Sequence, residues 1–172
     1  MKNITKLFAI ALVVLGSAAT AFAQTPVGVT ATASTSATII TPITISKTTD
    51  MNFGTIAVSA SGGTVVLSTA SSRSTTGGVT LPVINGTVSA AQFHVAGLDG
   101  STYSISLPGT ITLSDGSHTM DVGAFVSDPT STGTLSSTGQ DINVGATITV
   151  AASQAAGIYT NASDLAVTVN YN

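Results

Sequence analysis

Apolar and polar residues alternate without interruption near the end of the chain. Leu165, Val167, Val169 and Tyr171 fall on one side of an extended strand, and Ala166, Thr168 and Asn170 on the other. Val144, Ala146, Ile148 and Val150 repeat the pattern, and so do Tyr103, Ile105 and Leu107. Shorter, less regular runs at residues 64–67, 79–84, 92–95, 111–113 and 120–126 read as further strands. Within the last of these, Val122-Gly123-Ala124 is the natural place for a bulge, since a glycine inside a strand often marks one. No segment after residue 23 sustains a helical period long enough to place a helix.

The punctuation between the runs is that of tight turns. Asn85-Gly86, Asp99-Gly100 and Asp115-Gly116 are dipeptides that tolerate the positive φ angles of type I′ hairpins, and each separates two strand candidates. Pro108-Gly109 and Asp128-Pro129 mark further turns, and residues 128–140 read as a long polar loop or an irregular edge. Roughly eight to ten short strands without crossover helices define an all-β domain, either a sandwich or a barrel. Uneven strand lengths and the long loop favour an antiparallel, immunoglobulin-like β-sandwich. No fixed repeat period is present.

Ahead of these strands, Lys2 and Lys6 precede an uncharged run that ends in Ala21-Phe22-Ala23. A basic start, an apolar middle and a small-x-small site are the layout of a secretory signal peptide, here residues 1–23 with cleavage before Gln24. Gly16, Ser17 and Thr20 weaken the run as a retained membrane helix, so no membrane span is expected once the signal is removed. Residues 24–172, roughly 150 in all, then form a single domain.

Its cations are Lys47 and Arg73 alone, against seven aspartates and no glutamate. Two separated cations cannot neutralise a row of phosphates, which excludes nucleic acid and argues against an anionic membrane surface. With no cysteine, the exported domain must fold on burial and hydrogen bonding alone. A mean hydropathy of +0.50 with 6% charged residues sets the chain apart from a disordered Ser/Thr-rich stalk, so its hydroxyl residues read as the coat of a folded domain.

Candidate chemistry is sparse. His94 lies between Phe93 and Val95, so its ring points to the face opposite two apolar neighbours and reads as solvated. His118 follows the Asp115-Gly116 turn and reads as an exposed turn residue; neither histidine has a recognisable partner. Asp50, Asp99, Asp115, Asp121, Asp128, Asp141 and Asp164 are spread singly, without the D-x-D spacing or bidentate glutamate of a calcium loop. Zinc lacks thiolates, and the chain has no Trp for a sugar to stack on. Gly62-Gly63 and Gly77-Gly78 read as loops, not phosphate cradles, because neither opens a helix. Asn85-Gly86-Thr87 and Asn161-Ala162-Ser163 match the glycosylation pattern but read as turns. The expectation is a domain that is not an enzyme and has no catalytic site, cofactor or metal.

Two motifs carry a resemblance. The run Asp50-Met51-Asn52-Phe53-Gly54-Thr55-Ile56 is one. Gly157-Ile158-Tyr159 followed by the alternation from Asp164 to Tyr171 is the other. Together they resemble the secreted bacterial family known as domain of unknown function 4402, and the same two motifs resemble, more weakly, chaperone–usher pilins and spore coat protein U domains. The first resemblance implies a secreted β-sandwich with no established activity. The second implies a subunit of a surface fibre held by an N-terminal strand that completes a neighbour's sheet, although many pilins carry a disulfide that this chain lacks.

The leading expectation is therefore an exported structural or adhesive subunit in the periplasm, on the outer cell surface or outside the cell, with a surface binding module for a glycan or protein as the alternative. Partners would be copies of itself or other surface subunits, joined by β-strand addition. The candidate positions are Val27, Val29, Ala31 and Ala33, which alternate with Gly28, Thr30, Thr32 and Ser34. Such a strip has two destinations, the edge of its own sandwich or the groove of a neighbour, and Pro42 divides it from the strand that follows.

Overall fold

The computed structural model describes residues 28–84, 86–162 and 165–172, so the expected signal peptide, Val27, Asn85, Ser163 and Asp164 lie outside the described residues. The chain divides at Thr38 and Ile39 into two units. In the first, residues 28–38 are exposed and belong to no strand, Val29, Ala31 and Ala33 among them.

Among its described residues the second unit holds ten strands and no helix. In chain order they are β1 (Thr44–Thr49), β2 (Ala57–Leu67), β3 (Arg73–Thr80), β4 (Ala91–Ala96), β5 (Thr102–Ser106), β6 (Thr110–Ser114), β7 (Thr119–Asp128), β8 (Thr132–Thr134), β9 (Gln140–Val150) and β10 (Thr168–Tyr171). All pairings are antiparallel and form a seven-stranded and a three-stranded sheet in a sandwich-like arrangement.

The larger sheet is organised on β9. One edge of β9 pairs with β7 along its length, from Asp121↔Thr149 to Asp128↔Asn143. The other edge pairs first with β4, Val95↔Gln140 to Ala91↔Val144, and then with β2, Leu67↔Ala146 to Gly63↔Val150. β1 lies outside β4, β3 outside β2 and β6 outside β7. The smaller sheet runs β10-β5-β8.

Side-chain alternation explains where the core lies. Ile142, Val144, Ala146, Ile148 and Val150 all point to one face of β9 and are buried, as period two requires. The first two join Phe93, Val95, Tyr103, Ile105 and Val169 in a cluster beneath the small sheet. The last three join Phe53, Val65, Leu67, Val79 and Val122 in a second cluster. Tyr103 is fully buried; its hydroxyl donates to Gln140 Oε1 at 2.8 Å, and burial raises its pKa. The small sheet packs so closely that a Cβ on Gly133 would collide with the Tyr103 ring.

Several expectations hold. The bulge in β7 falls between Gly123 and Val126, with Ala124 at φ 47°, a conformation few side-chain-bearing residues adopt. The face assignment of the closing alternation also stands, since Val169 is buried, Leu165 and Val167 pack on the core, and Ala166, Thr168 and Asn170 are exposed.

Others are corrected. The strand expected at residues 79–84 stops at Thr80, and Val83 and Ile84 stand 99% and 83% exposed in a loop. Pro42 and Pro82 each lie just outside a strand, where a missing N–H costs no ladder bond. Residues 128–140, expected as a long polar loop or an irregular edge, contain the short strand β8, which forms one edge of the small sheet. Of the three dipeptide turns only Asp115-Gly116 closes a hairpin. It does so with four residues between Ser114 and Thr119, and because Asp115 lacks a positive φ the turn is not type I′. Asp99-Gly100 instead carries the chain from β4 in one sheet to β5 in the other, and Gly86 lies between β3 and β4, which do not pair. In each case the glycine supplies its positive φ, but the partner of the next strand is set by burial and not by the turn.

The closing strand gives a paired test. Val169→Asp buries a charge without a partner and should destabilise the domain by about 3–5 kcal/mol, whereas Thr168→Asp should stay within about 0.5 kcal/mol. Urea unfolding of both variants checks this; equal losses would reverse the face assignment.

Candidate functional site

The two halves of the core are roofed differently. The small sheet covers the first cluster, whereas the second is covered by irregular chain, the run from Asp50 to Ile56 on one side and residues 154–162 on the other. Between them lies a cleft of about 1280 Å³, floored by Ile111 and Leu113 of β6, Met120 and Val122 of β7, and Ile148 and Val150 of β9. Its charged lining residues are Lys47 and Asp50, which form an ion pair with each other.

The first wall is the asparagine–phenylalanine–glycine motif. Asn52 Oδ1 accepts the Gly54 N–H at 2.8 Å, and Gly54 takes φ +67°, which a side chain would strain. Asn52 and Ser89 exchange backbone hydrogen bonds of 2.8 and 3.0 Å, and Ser89 Oγ donates to the Asp50 carbonyl at 2.7 Å. The turn drops Phe53 into the second cluster, leaving the carbonyls of Phe53 and Thr55 turned toward β3. Arg73 Nη1 donates to both, at 2.5 and 2.9 Å. The motif is thus an architectural turn, fixed by the one arginine of the chain.

The second wall is a strap across the edge of β6. Ser114 and Thr160 exchange two backbone hydrogen bonds of 3.0 Å, and Asn161 Nδ2 donates to the Thr112 carbonyl at 2.8 Å. Gln154 Nε2 donates to the Thr119 carbonyl and to the Tyr159 hydroxyl, which in turn donates to the Ala155 carbonyl at 2.9 Å. Tyr159 therefore ties the strap internally. Tyr171 packs against the first cluster; its hydroxyl accepts the Leu98 N–H and donates to the Thr41 carbonyl.

Both histidines have partners that the sequence did not reveal. His94 Nδ1 lies 2.7 Å from Asp141 Oδ1, because strand pairing sets these residues directly opposite. His118 Nδ1 lies 3.1 Å from Asp115 Oδ2 across the β6–β7 turn. Neither pair lines the cleft, and among the described residues no three His, Cys, Asp or Glu side chains converge. Asp115 Oδ1 also accepts the N–H groups of His118 and Ser117 at 2.7 and 2.8 Å. Those two backbone bonds, with the His118 ring after them, lower its pKa to about 2. Of the predicted strip, Val29, Ala31 and Ala33 are exposed and Val27 lies outside the described residues.

By class the protein is a cysteine-free, all-β, sandwich-like domain with a cleft over one half of its core. The chain belongs to the family described as domain of unknown function DUF4402, whose model matches residues 43–171, from the entry to β1 through the end of β10. No curated protein and no solved structure matches it.

Two outcomes follow from this geometry. Arg73→Met removes both bonds to the motif carbonyls and should cost about 1.5–3 kcal/mol, with Arg73→Lys recovering only part of it, as measured by denaturant unfolding. Asp115 has a folded pKa below its unfolded value, so its contribution is present above pH ~4 and lost as pH falls toward 2. The difference in melting temperature between the wild type and Asp115→Asn should be constant near neutrality and vanish across that window; a difference that persists at pH 2 would remove the carboxylate from the account.

Proposed function

We propose that this chain is an exported, non-catalytic structural or adhesive subunit of the bacterial cell surface, an immunoglobulin-like sandwich that meets other subunits by β-strand addition. The observation that carries the reading is the cleft. Its floor is sheet lined by apolar side chains, and its one ion pair is already satisfied, which suits an extended, uncharged peptide better than a reacting substrate. Support comes also from the N-terminal pattern of a secretory signal and from the hydroxyl-rich, charge-poor coat. The same cleft supports a second reading, a surface module that binds a separate protein ligand.

Protease treatment and antibody labelling of intact cells test the location, and shearing followed by gel filtration tests for assemblies. Accessible, sheared material of high mass supports the subunit reading, accessible material of monomer mass supports the binding module, and retention in the cytoplasm overturns both. The double variant His94→Ala, His118→Ala should behave as the wild type does in these assays. Loss of the role with an unchanged circular dichroism spectrum would bring a catalytic or metal-binding role to the front.

A further inference from the structure

We infer that the outer face of the larger sheet, over β2, β3, β6, β7 and β9, is an ice-binding surface. The inference goes beyond the subunit reading and does not depend on it, because this face lies on the side of the sheet opposite the cleft. Strand register sets out its side chains in rows. One row runs Thr112, Asp121, Thr149, Thr64 and Thr76. A second, two residues along each strand, runs Thr110, Gly123, Thr147, Val66 and Ser74. Seven of these ten positions carry a hydroxyl, and Asp121 is the one charge among them. Sheet geometry spaces such groups at roughly 4.8 Å between strands and about 6.7 Å along each strand.

The array is confined to one half of the sheet. At the start of β9, beside β4, the outer positions are Asp141 and Asn143, which meet His94 at 2.7 Å and Gln92 at 3.2 Å. At its end, between β2 and β7, they are Thr147 and Thr149. Hydration alone would be served as well by the first set, so the change to threonine along one strand answers a different demand. A β-branched side chain is stiff at χ1 and holds its hydroxyl and methyl in fixed places. Thr64 and Thr76 share a hydrogen bond of 2.7 Å, and Thr112 donates to Asp121 at 3.0 Å, which fixes these hydroxyls further.

The chemistry of the two rows selects the partner. They hold no aromatic ring for a sugar to stack on, no cation for an anionic polymer, and one carboxylate, too few for a mineral surface of metal ions. What they do hold is a two-dimensional array of hydroxyls and methyls, and a matching partner must repeat its own hydrogen-bonding groups in two directions. The oxygens on the prism faces of hexagonal ice do so at intervals close to those of a β-sheet. Each hydroxyl fixes a water while the methyl beside it excludes others, so part of the ordering that freezing requires is made in advance. Sheet twist carries successive strands out of plane, which centres the contact on Thr149, Thr64 and Thr147 of the middle strands.

The purified chain beginning at Gln24 should therefore open a gap between the melting and freezing points of an ice crystal, and should enter a slowly growing ice front where other proteins are excluded. Thr149→Lys raises a long charged side chain at the middle of the array and should lower both effects roughly tenfold with thermal unfolding unchanged. Thr76→Lys, exposed on the outer strand β3, gives the same reading where a change in β9 disturbs the fold. Ser106→Lys, exposed on the small sheet, should change nothing. Asp121→Thr completes the row and should raise the activity; a loss there would show that the carboxylate, and not the hydroxyl array, makes the contact. Exclusion of the wild type from ice, an equal loss from Ser106→Lys, or retention on crystalline cellulose or chitin with no effect on ice would each overturn the inference. The subunit reading is decided separately by the assays on intact cells, since the ice measurements need only the purified chain.

Discussion

Everything in the sandwich is registered on β9. A strand of eleven residues with its even-numbered side chains buried from Ile142 to Val150 gives two separate clusters a shared face. Because β7 pairs along one edge and β4 and β2 divide the other, the positions of three neighbouring strands are fixed by one hydrogen-bonded backbone. A slip of one residue would turn the whole stripe outward and expose both clusters together. No disulfide shares this task, so the stripe has to be long and free of error.

That dependence also explains the cleft. β9 is long enough to support two clusters, but the second sheet has only three strands and reaches one of them. The remaining aliphatic face is sheltered by chain without regular pairing, whose own polar groups must be satisfied locally. The Asn52 turn with Arg73 does so on one side, and the Gln154–Tyr159–Ala155 relay does so on the other. Irregular cover packs less completely than a sheet does, and the shortfall is the open volume over β6, β7 and β9.

The sequence revealed the parts governed by period two. The stripe of β9, the burial of Tyr103 and Ile105, and the exposed and buried faces around Val169 follow from alternation alone, and Gly123 pointed to the bulge. It was less informative where a residue answers to a distant partner. Asp99-Gly100 has the chemistry of a hairpin, yet the next strand finds its core in the other sheet. Thr132–Thr134 has no apolar alternation and becomes a strand because Tyr103 and Ser104 offer an edge. The His94–Asp141 pair was invisible because its residues lie 47 positions apart and meet only through strand register. The cleft was hidden for a related reason: its walls, the Asn52 turn and the strap, carry no periodicity.

The surface completes the physical picture. Strand pairing aligns Thr112, Asp121, Thr149, Thr64 and Thr76 in one row across the outer face of the larger sheet. Within it Thr64 and Thr76 share a hydrogen bond of 2.7 Å, and Thr112 donates to Asp121 at 3.0 Å. Such a face is hydrated mainly by hydroxyls, with Asp121 its one charge in that row, so it does little to repel another sheet. Edge strands in soluble proteins are commonly guarded by charge, especially lysine. Of the three outer strands of this sheet, β1 carries Lys47 and β3 carries Arg73, whereas β6 reads Thr-Ile-Thr-Leu-Ser and is guarded only by the strap. A contact between two backbone bonds and one asparagine amide is a weaker barrier than a charge, because it can be exchanged for equivalent bonds to an arriving strand at little net cost. The edge above the open half of the core is thus the one least defended against pairing.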